Sequence, residues 1–345
     1  MKTKRITYLA TALALMAAGS SCEHDEIYEP LEFSVQLAPT NTYKTGDPVV
    51  FNFSGNADYI TVWNGDTGHE YRYRDRTSVA FEDIEQCTLE IEISQQYSKA
   101  DIRSLNMLVG NQFQGLSGQD AEADRQIVEA IEASRQGNEY PGWKTLEYED
   151  NNANKFTTYT YDITEYADNF TFGVHLFQNE EDLNQTMKTY RINPKIRVKI
   201  KGYDTQEYSG VSMGERFITY SLADIHADNP YIHNASGNGN LKIQGLGTGS
   251  NSAAVIVYQG FNAGAAGMPS PVRQFGFMQP MALNTISPDT GQSIKGVADD
   301  VKSYSYTYTE PGTYTVTFLA GNGNYQGESG IQTYEMKVTI VDPIE

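Results

Sequence analysis

The side chains best suited to chemistry in this chain of 345 residues are aromatic. Trp143 and Tyr140 lie in the turn-rich segment Glu139-Tyr-Pro-Gly-Trp143, and Tyr203 and Tyr231 lie beside other predicted loops. Flat rings pack on the apolar faces of sugars, while polar neighbours meet the hydroxyl groups. The sequence therefore predicts glycan-binding residues at these four positions. For Trp143 the alternative is a ring that caps a hydrophobic core.

The sequence contains no recognisable motif for catalysis. None of the five histidines stands at zinc-ligand spacing from another histidine or a cysteine, and there is neither a nucleophile elbow nor a phosphate-binding loop. His175 lies in a predicted strand and is interpreted as a core histidine. Hydrolysis of a glycoside needs two carboxylates about 5 to 10 Å apart, which 44 acidic residues supply by chance. We predict a protein that is not an enzyme, with a glycan-active hydrolase as an alternative.

A cofactor is likewise not predicted from the acidic residues. Asp66, Asp204 and Asp289 stand beside Gly or Thr in predicted turns, where a carboxylate is able to bind Ca²⁺. These residues do not form a spaced series like that of a known calcium loop. We interpret them as solvated turn residues, and structural calcium is the alternative.

The charge balance excludes several classes of partner. The chain has 44 acidic and 25 basic side chains, a net charge of −19, and 39% hydrophobic residues. A nucleic acid or an anionic membrane surface needs clustered Lys and Arg, so neither is predicted as a partner. The hydrophobic content is sufficient for a packed core, and the abundance of Tyr, Phe, Thr and Val favours β-structure.

The N-terminus has the order of a secretory signal peptide over residues 1–21. Three basic residues precede an apolar stretch of 13 residues, Ile6 to Ala18, and small residues then lead to Cys22. A cysteine after small residues resembles the lipobox of bacterial lipoproteins, although Gly19 stands where Leu is usual. The resemblance implies lipidation at Cys22, and ordinary cleavage near Ser21 is the alternative.

Residues 22–31 are predicted to be a tether. The acidic run Glu23-His-Asp-Glu26 is similar to the signal that sends Bacteroidota lipoproteins to the outer face of the outer membrane, and a solvated linker is the alternative. Cys87 has no partner for a disulfide if Cys22 is lipidated. Because Cys87 shares its parity with Leu89 and other apolar residues, we predict a buried strand cysteine.

The two ends of the chain resemble halves of one PKD-type, immunoglobulin-like domain. Gly46-Asp-Pro-Val-Val-Phe-Asn-Phe-Ser-Gly55 and a strand ending at Trp63 match its first half. Its second half matches Pro311-Gly-Thr-Tyr-Thr-Val316 and the strand that ends at Ile340. Residues 32–75 and 302–343 together are close to one such domain in length. We therefore predict a split domain, and three sequential β-units are the alternative.

The predicted insertion, residues 76–301, consists of alternating or apolar runs separated by Gly-rich and Asn-rich turns. This pattern is typical of a jelly-roll β-sandwich. The segment from Tyr161 to Val174 resembles part of galactose-binding-like domains. One short helix is predicted over residues 120–135, with Ile127, Val128 and Ile131 as its apolar stripe. The predicted fold is thus an immunoglobulin-like sandwich split by a jelly-roll-like sandwich, all-β except for that helix.

This layout resembles a family of Bacteroidota surface lipoproteins that is catalogued as a domain of unknown function and is found in polysaccharide-utilisation systems. The resemblance implies an outer-membrane surface protein that binds a polysaccharide or oligosaccharide beside a glycan transporter pair. A structural or adhesive protein that contacts other proteins is the alternative, since a fold does not fix a function.

Overall fold

The computed structural model describes residues 29–37, 42–97, 102–150, 154–232, 237–243, 256–262, 265–323 and 329–342. The predicted signal peptide, Cys22 and residues 23–28 of the predicted tether lie outside this part of the chain. The chain divides into two compact units. Unit 1 comprises Met1–Arg76 and Pro288–Glu345, and unit 2 comprises Thr77–Ser287. Within the described residues, no helix is long and apolar enough to cross a membrane.

The described residues form nineteen strands, numbered along the chain. Unit 1 begins with β1 Phe33–Leu37, β2 Thr42–Lys44, β3 Pro48–Gly55 and β4 Tyr59–Trp63. Unit 2 contains β5 Ile84–Gln96, β6 Leu105–Gly110, β7 Lys144–Thr145, β8 Phe156–Asp162, β9 Thr171–Phe177, β10 Thr189–Ile200, β11 Gln206–Tyr208, β12 Phe217–Ser221, β13 Leu241–Ile243, β14 Ile256–Tyr258 and β15 Arg273–Met278. Unit 1 is completed by β16 Gln292–Lys295, β17 Ser303–Thr307, β18 Gly312–Gly323 and β19 Ser329–Val341.

Unit 1 is a sandwich of two sheets. One sheet has the order β1-β3-β17, and the other has the order β16-β4-β18-β19-β2. Phe51 of β3 contacts Phe318 of β18 edge to face, with 5.2 Å between the ring centroids, so these rings join the two sheets through the core. Trp63 is buried at the end of β4. This arrangement is the immunoglobulin-like sandwich that the resemblance of the two chain ends implies.

Strands from the two ends of the chain pair directly with one another in unit 1. Strand β3 pairs with β17, and β4 pairs with β18. Strand β16 also pairs with β4, through Gln292 opposite Val62, so residues 288–301 belong to unit 1. The sequence analysis placed this segment in the insertion. Its Gln-Ser-Ile-Lys strand has little apolar alternation, and β16 forms because it covers an otherwise unpaired edge of β4.

Unit 2 is a second sandwich, with antiparallel pairing throughout its described strands. Its first sheet has the order β13-β14-β10-β5-β8, with β11 also paired to β10, and its second sheet has the order β12-β15-β9-β6-β7. Leu89 and Ile192 of the first sheet and Met107 and Val174 of the second belong to one buried core. Cys87 is buried on the same face of β5 as Leu89, as predicted. The predicted fold class, an all-β protein of two sandwiches, is confirmed.

The second sheet of unit 2 is buried on both faces, because helix α1, Ala121–Ala133, covers its outer side. The sequence predicts this helix over residues 120–135. Strands β6 and β9 are buried at every position, the pattern expected of strands covered on both faces. A second, five-residue helix, α2, spans Gly210–Gly214 and was not predicted, since its short sequence has no apolar periodicity.

Candidate functional site

The outer face of the second sheet of unit 2 carries a layer of aromatic rings. Phe275 and Phe277 of β15 stack on each other with 5.6 Å between centroids and 16° between ring planes. Gly173 lies opposite Phe277 on the neighbouring strand β9. A Cβ atom on Gly173 would lie 2.7 Å from the Phe277 ring, so only glycine leaves room for that ring. Gly173 on β9 thus determines where the ring of Phe277 is able to lie.

Helix α1 is fixed over this layer at both of its ends. At its N-terminus, Asp120 Oδ1 accepts a hydrogen bond from the backbone N–H of Ala123 at 3.0 Å, which caps the helix. Near its C-terminus, Glu132 pairs with Arg273 of β15, with 2.5 Å between Oε2 and Nη2. Glu132 lies outside the predicted apolar stripe of the helix, where an acidic side chain is expected to face solvent. It faces Arg273 instead, because the sheet supplies a cation that the sequence pattern of the helix does not reveal.

A surface groove lies between α1 and the turn that contains Trp143, and we call it the aromatic groove. Its volume is about 420 Å³. The lining residues come from α1, from the segment after β6 and from the turn before β7: Gly110, Gln112, Phe113, Gln114, Gly115, Ile127, Ala130, Ile131, Pro141, Gly142 and Trp143. The walls are therefore apolar, and the exposed amides of Gln112 and Gln114 supply polar groups.

Trp143 forms one wall of the aromatic groove and is half-buried. Its indole contacts Phe113 and Phe277, with centroid distances of 5.4 and 5.5 Å. Gly110 lies beneath it, and a Cβ atom there would be 3.2 Å from Cε3 of the indole. The ring is thus held from below by a preformed aromatic layer, which fixes its orientation before any ligand arrives.

Tyr140 does not share this exposure, and its predicted role in stacking on a ligand is corrected. Its side chain is only 2% exposed, and its hydroxyl accepts a hydrogen bond from Asn106 Nδ2 at 3.0 Å. The hydroxyl also shares a hydrogen bond with His175 Nδ1, 2.6 Å away. Sequence reasoning missed this because both partners come from strands of the covered sheet.

His175 is the buried histidine that the sequence predicts. It stacks on Phe275 with 3.8 Å between centroids, and its Nε2 lies 3.8 Å from Glu132 Oε1. Burial lowers the pKa of His175 to about 4, although Glu132 acts in the opposite direction. Burial also opposes ionisation of Glu132, but His175 and Arg273 outweigh it and lower the pKa of Glu132 to about 2. At neutral pH this cluster therefore holds a neutral imidazole beside a charged carboxylate.

Tyr203 and Tyr231 are not among the residues that line the aromatic groove. Tyr203 is half-buried against the sandwich core of unit 2. The hydroxyl of Tyr231 donates to Asp124 Oδ2 of α1 at 2.7 Å, and its ring contacts Tyr220 edge to face. The structure thus does not bring the four predicted aromatic residues together, and of these four only Trp143 lines the groove.

The structure also places the acidic residues considered for calcium. Asp289 is buried and accepts a hydrogen bond from the backbone N–H of Glu70 at 2.8 Å, while Asp66 accepts one from the hydroxyl of Tyr306. These contacts hold turns of unit 1 in place. Throughout the described part of the chain, no group of three or more His, Cys, Asp or Glu side chains is arranged to hold a metal ion.

Several groove residues were missed by the sequence reasoning. Phe113 stands between two glutamines in Gln112-Phe-Gln-Gly115, and an aromatic residue in such a polar segment is the signal that could have identified it. Ile127 was predicted to face the core, yet its side chain is 37% exposed and lines the groove. The apolar stripe of α1 is wider than the part of the sheet that the helix covers, so Ile127 at the edge of the stripe remains exposed to solvent.

The fold defines an all-β protein of two sandwich units, and comparisons with known proteins add one family match. Residues 21–130 match the domain of unknown function DUF5017. This range covers the first strands of both units and most of α1. No curated protein matches the chain. A crystal structure of an ICAM-5 D1–D4 ectodomain fragment aligns with 90% of this chain and 100% of that one, at 10% identity and a TM-score of 0.11, which is too low to relate the folds.

Proposed function

We propose that this protein is a lipid-anchored surface protein of the Bacteroidota outer membrane that binds glycan without cleaving it, as part of a polysaccharide uptake system. The aromatic groove carries the binding part of this proposal. The order of residues from Lys2 to Cys22 and the acidic run that follows support the anchor and its location. The transporter pair of such a system is the expected neighbour.

The chemistry of the groove suits a neutral sugar. Trp143 offers a flat ring for the apolar face of a pyranose, and the exposed amides of Gln112 and Gln114 can donate to and accept from hydroxyl groups. Because Trp143 already rests on Phe113 and Phe277, little conformational entropy is lost when a ligand stacks on it.

The lining of the groove also favours binding over hydrolysis. Its eleven lining residues include no carboxylate, histidine or cysteine. The carboxyl group of Glu132, in the last turn of α1, is already paired with Arg273. Acid–base cleavage of a glycoside needs two carboxylates facing the sugar, and these residues do not supply them. We therefore propose that the groove binds a glycan, and the experiment below also tests whether the protein hydrolyses it.

The experiment is affinity gel electrophoresis of residues 23–345 through a panel of plant, host and microbial polysaccharides. We expect at least one neutral polysaccharide to retard the wild-type chain. Trp143→Ala should weaken that binding by about tenfold or more, as expected for an aromatic residue that dominates a binding site. Phe156→Ala is the matched control, because Phe156 is a 43% exposed aromatic of unit 2 on strand β8 and is not among the groove-lining residues.

Three results would contradict the proposal. Free migration through every polysaccharide would favour the structural or adhesive alternative, and release of reducing ends from a bound polysaccharide would favour a hydrolase. Equal loss of retardation in Trp143→Ala and Phe156→Ala would place the site elsewhere. Circular dichroism of each variant establishes that the β-structure is retained.

A further inference from the structure

A second cavity of unit 2 lies at strands β10 and β14 of the first sheet, and we call it the arginine cleft. Its volume is about 390 Å³. The polar and charged side chains that line the cleft include Tyr97, Thr189, Arg191, Asn238, Gln259 and Asn262. Among the described residues that line the cleft, Arg191 carries the sole formal charge and none is acidic. The cleft thus offers one cation surrounded by hydroxyl and amide groups.

Arg191 differs from the other arginine of its strand in lacking a partner. Arg197 lies on the same face of β10 and contacts Glu90 and Glu207, at 3.2 and 3.0 Å. The guanidinium of Arg191 makes neither an ion pair nor a hydrogen bond with any residue that the structure describes. A planar guanidinium matches a carboxylate or a sulfate through two parallel hydrogen bonds. Arg191 is therefore available to an anionic ligand.

The acidic residue on this face of β5, Glu92, does not form an ion pair with Arg191. Glu92 of β5 lies on the same face of the sheet, two residue pairs further along, but it accepts a hydrogen bond from Asn193 at 2.9 Å. The residue directly opposite Arg191 on β5 is Ser94, which has no charge. Neither of these two side chains therefore neutralises the charge of Arg191.

Tyr97 presents its ring at the cleft in a strained backbone conformation. Its φ angle is 68°, and its side chain is 68% exposed. A non-glycine residue rarely adopts this left-handed conformation, and such strain is concentrated at functional positions. An exposed ring beside amide side chains is the arrangement that stacks on a sugar.

Another part of the cleft lining is held against the sheet by a glycine. The backbone N–H of Gly260 donates to Thr189 Oγ1 at 3.0 Å. A Cβ atom on Gly260 would lie 2.0 Å from the carbonyl oxygen of Met187, so no other residue permits this approach. The side chains of Gln259 and Asn262, close to this glycine in the chain, line the cleft and are exposed to solvent.

We propose that the arginine cleft binds an anionic saccharide. Arg191 pairs with the carboxylate of a uronic acid or with a sulfate ester, Tyr97 packs on the sugar ring, and the amides of Gln259 and Asn262 bind its hydroxyls. The net charge of −19 repels anions at long range but is screened beyond about 10 Å at 0.1 M salt, whereas a contact pair persists. This site is separate from the aromatic groove and does not rest on the proposed function.

The test measures binding of residues 23–345 to polygalacturonate and alginate, to a sulfated glycosaminoglycan, and to a neutral galactan, by calorimetry at about 0.1 M salt. Arg191→Gln removes the charge and keeps hydrogen-bonding capacity. Arg197→Gln is the matched control, since it removes the same charge from the same face of β10. Tyr97→Asn removes the ring with a residue that tolerates a positive φ.

We expect wild type to bind a carboxylated or a sulfated polymer and to bind it more tightly than the neutral one. Arg191→Gln should weaken this binding by about tenfold or more, the loss typical of a charge-assisted pair, while Arg197→Gln changes it little. Tyr97→Asn should also weaken it, without lowering the melting temperature. Binding of only the uronate polymers identifies a carboxylate ligand, and binding of only the sulfated polymer identifies a sulfate ester.

The proposal is overturned if no anionic polymer binds, or if Arg191→Gln and Arg197→Gln weaken binding equally. Trp143→Ala separates the two sites: it should leave binding of the anionic polymer unchanged. The test of the arginine cleft therefore does not depend on whether the aromatic groove binds a glycan.

Discussion

The indole of Trp143 rests on the ring of Phe277, with 5.5 Å between their centroids and 33° between their planes. Phe277 in turn lies over Gly173, which leaves the space for its ring on strand β9. The shape of a surface groove thus depends on a buried glycine that is not among the groove-lining residues.

Gly173→Ala tests this dependence. The added methyl group would lie 2.7 Å from the Phe277 ring, so that ring must move and the support of Trp143 is altered. We expect the free energy of unfolding to fall by about 1 to 3 kcal/mol, as is typical of overpacking, and glycan retardation to weaken. Gly312→Ala is the control, since the nearest atom there is at 3.5 Å. Unchanged retardation with Gly173→Ala would show that the groove does not need this support.

Acid should destabilise unit 2 through His175. The unfolded chain binds a proton there near pH 6.5, whereas burial lowers the pKa in the folded chain to about 4. Between these values the unfolded state binds more protons, so the free energy of unfolding decreases as the pH falls. From pH 7 to pH 5 we expect a loss of about 2 kcal/mol from this residue.

His175→Phe measures that contribution. Phenylalanine can keep the stacking on Phe275 but does not titrate, and it leaves Tyr140 paired with Asn106 alone. Urea unfolding at pH 7 and pH 5 should show a smaller pH dependence than in wild type. His226, whose pKa burial also lowers, accounts for a remaining slope. An identical pH dependence in both proteins would contradict the assignment to His175.

Tyr231 should prove structural, although its sequence position suggested a role in glycan binding. Its hydroxyl is one of several donors to Asp124, which also accepts from the backbone N–H groups of Ser117 and Gly118 at 2.8 and 2.9 Å. Tyr231→Phe should lower the free energy of unfolding by about 1 to 2 kcal/mol, the cost of one hydrogen bond to a buried charged group. Glycan retardation should stay unchanged. If retardation is lost at unchanged stability, the ligand reaches the N-terminal end of α1.

Cys87 should report on the opening of unit 2. Burial, with a smaller contribution from Asp162, raises the pKa of the thiol to about 12, so almost no reactive thiolate forms at pH 8. In residues 23–345, which lack Cys22, a thiol reagent should label the chain only as fast as the unit unfolds. Adding urea should raise the labelling rate steeply. Rapid labelling without denaturant would show that the first sheet is open to solvent.

Local alternation was sufficient to predict much of the fold. Phe51 and Leu89 lie in strands whose apolar residues alternate, and α1 has a cap and an apolar stripe, so each pattern is contained in a few neighbouring residues. Trp143 could be identified in the same way, because an aromatic residue in a turn is unusual. Each of these predictions depends only on residues within one strand, helix or turn.

The features that could not be predicted depend on contacts between residues far apart in the sequence. Tyr140 stands in the same turn as Trp143 but is buried, because Asn106 and His175 lie 34 and 35 residues away along the chain. The partner of Glu132 is 141 residues away on β15. The walls of the aromatic groove come from three segments whose approach is decided by the packing of the sheet. No periodicity within one segment contains that information.

The interleaving of β3 and β4 with β17 and β18 has a consequence for the time course of folding. Asn64, just after β4, accepts a hydrogen bond from Tyr304, which follows it by 240 residues. A ribosome adds about 5 to 20 residues per second, so the early strands wait on the order of 10 to 50 s for their partners. Unit 2 is continuous and is synthesised within that interval. The newest part of the chain therefore closes the domain that the oldest part began.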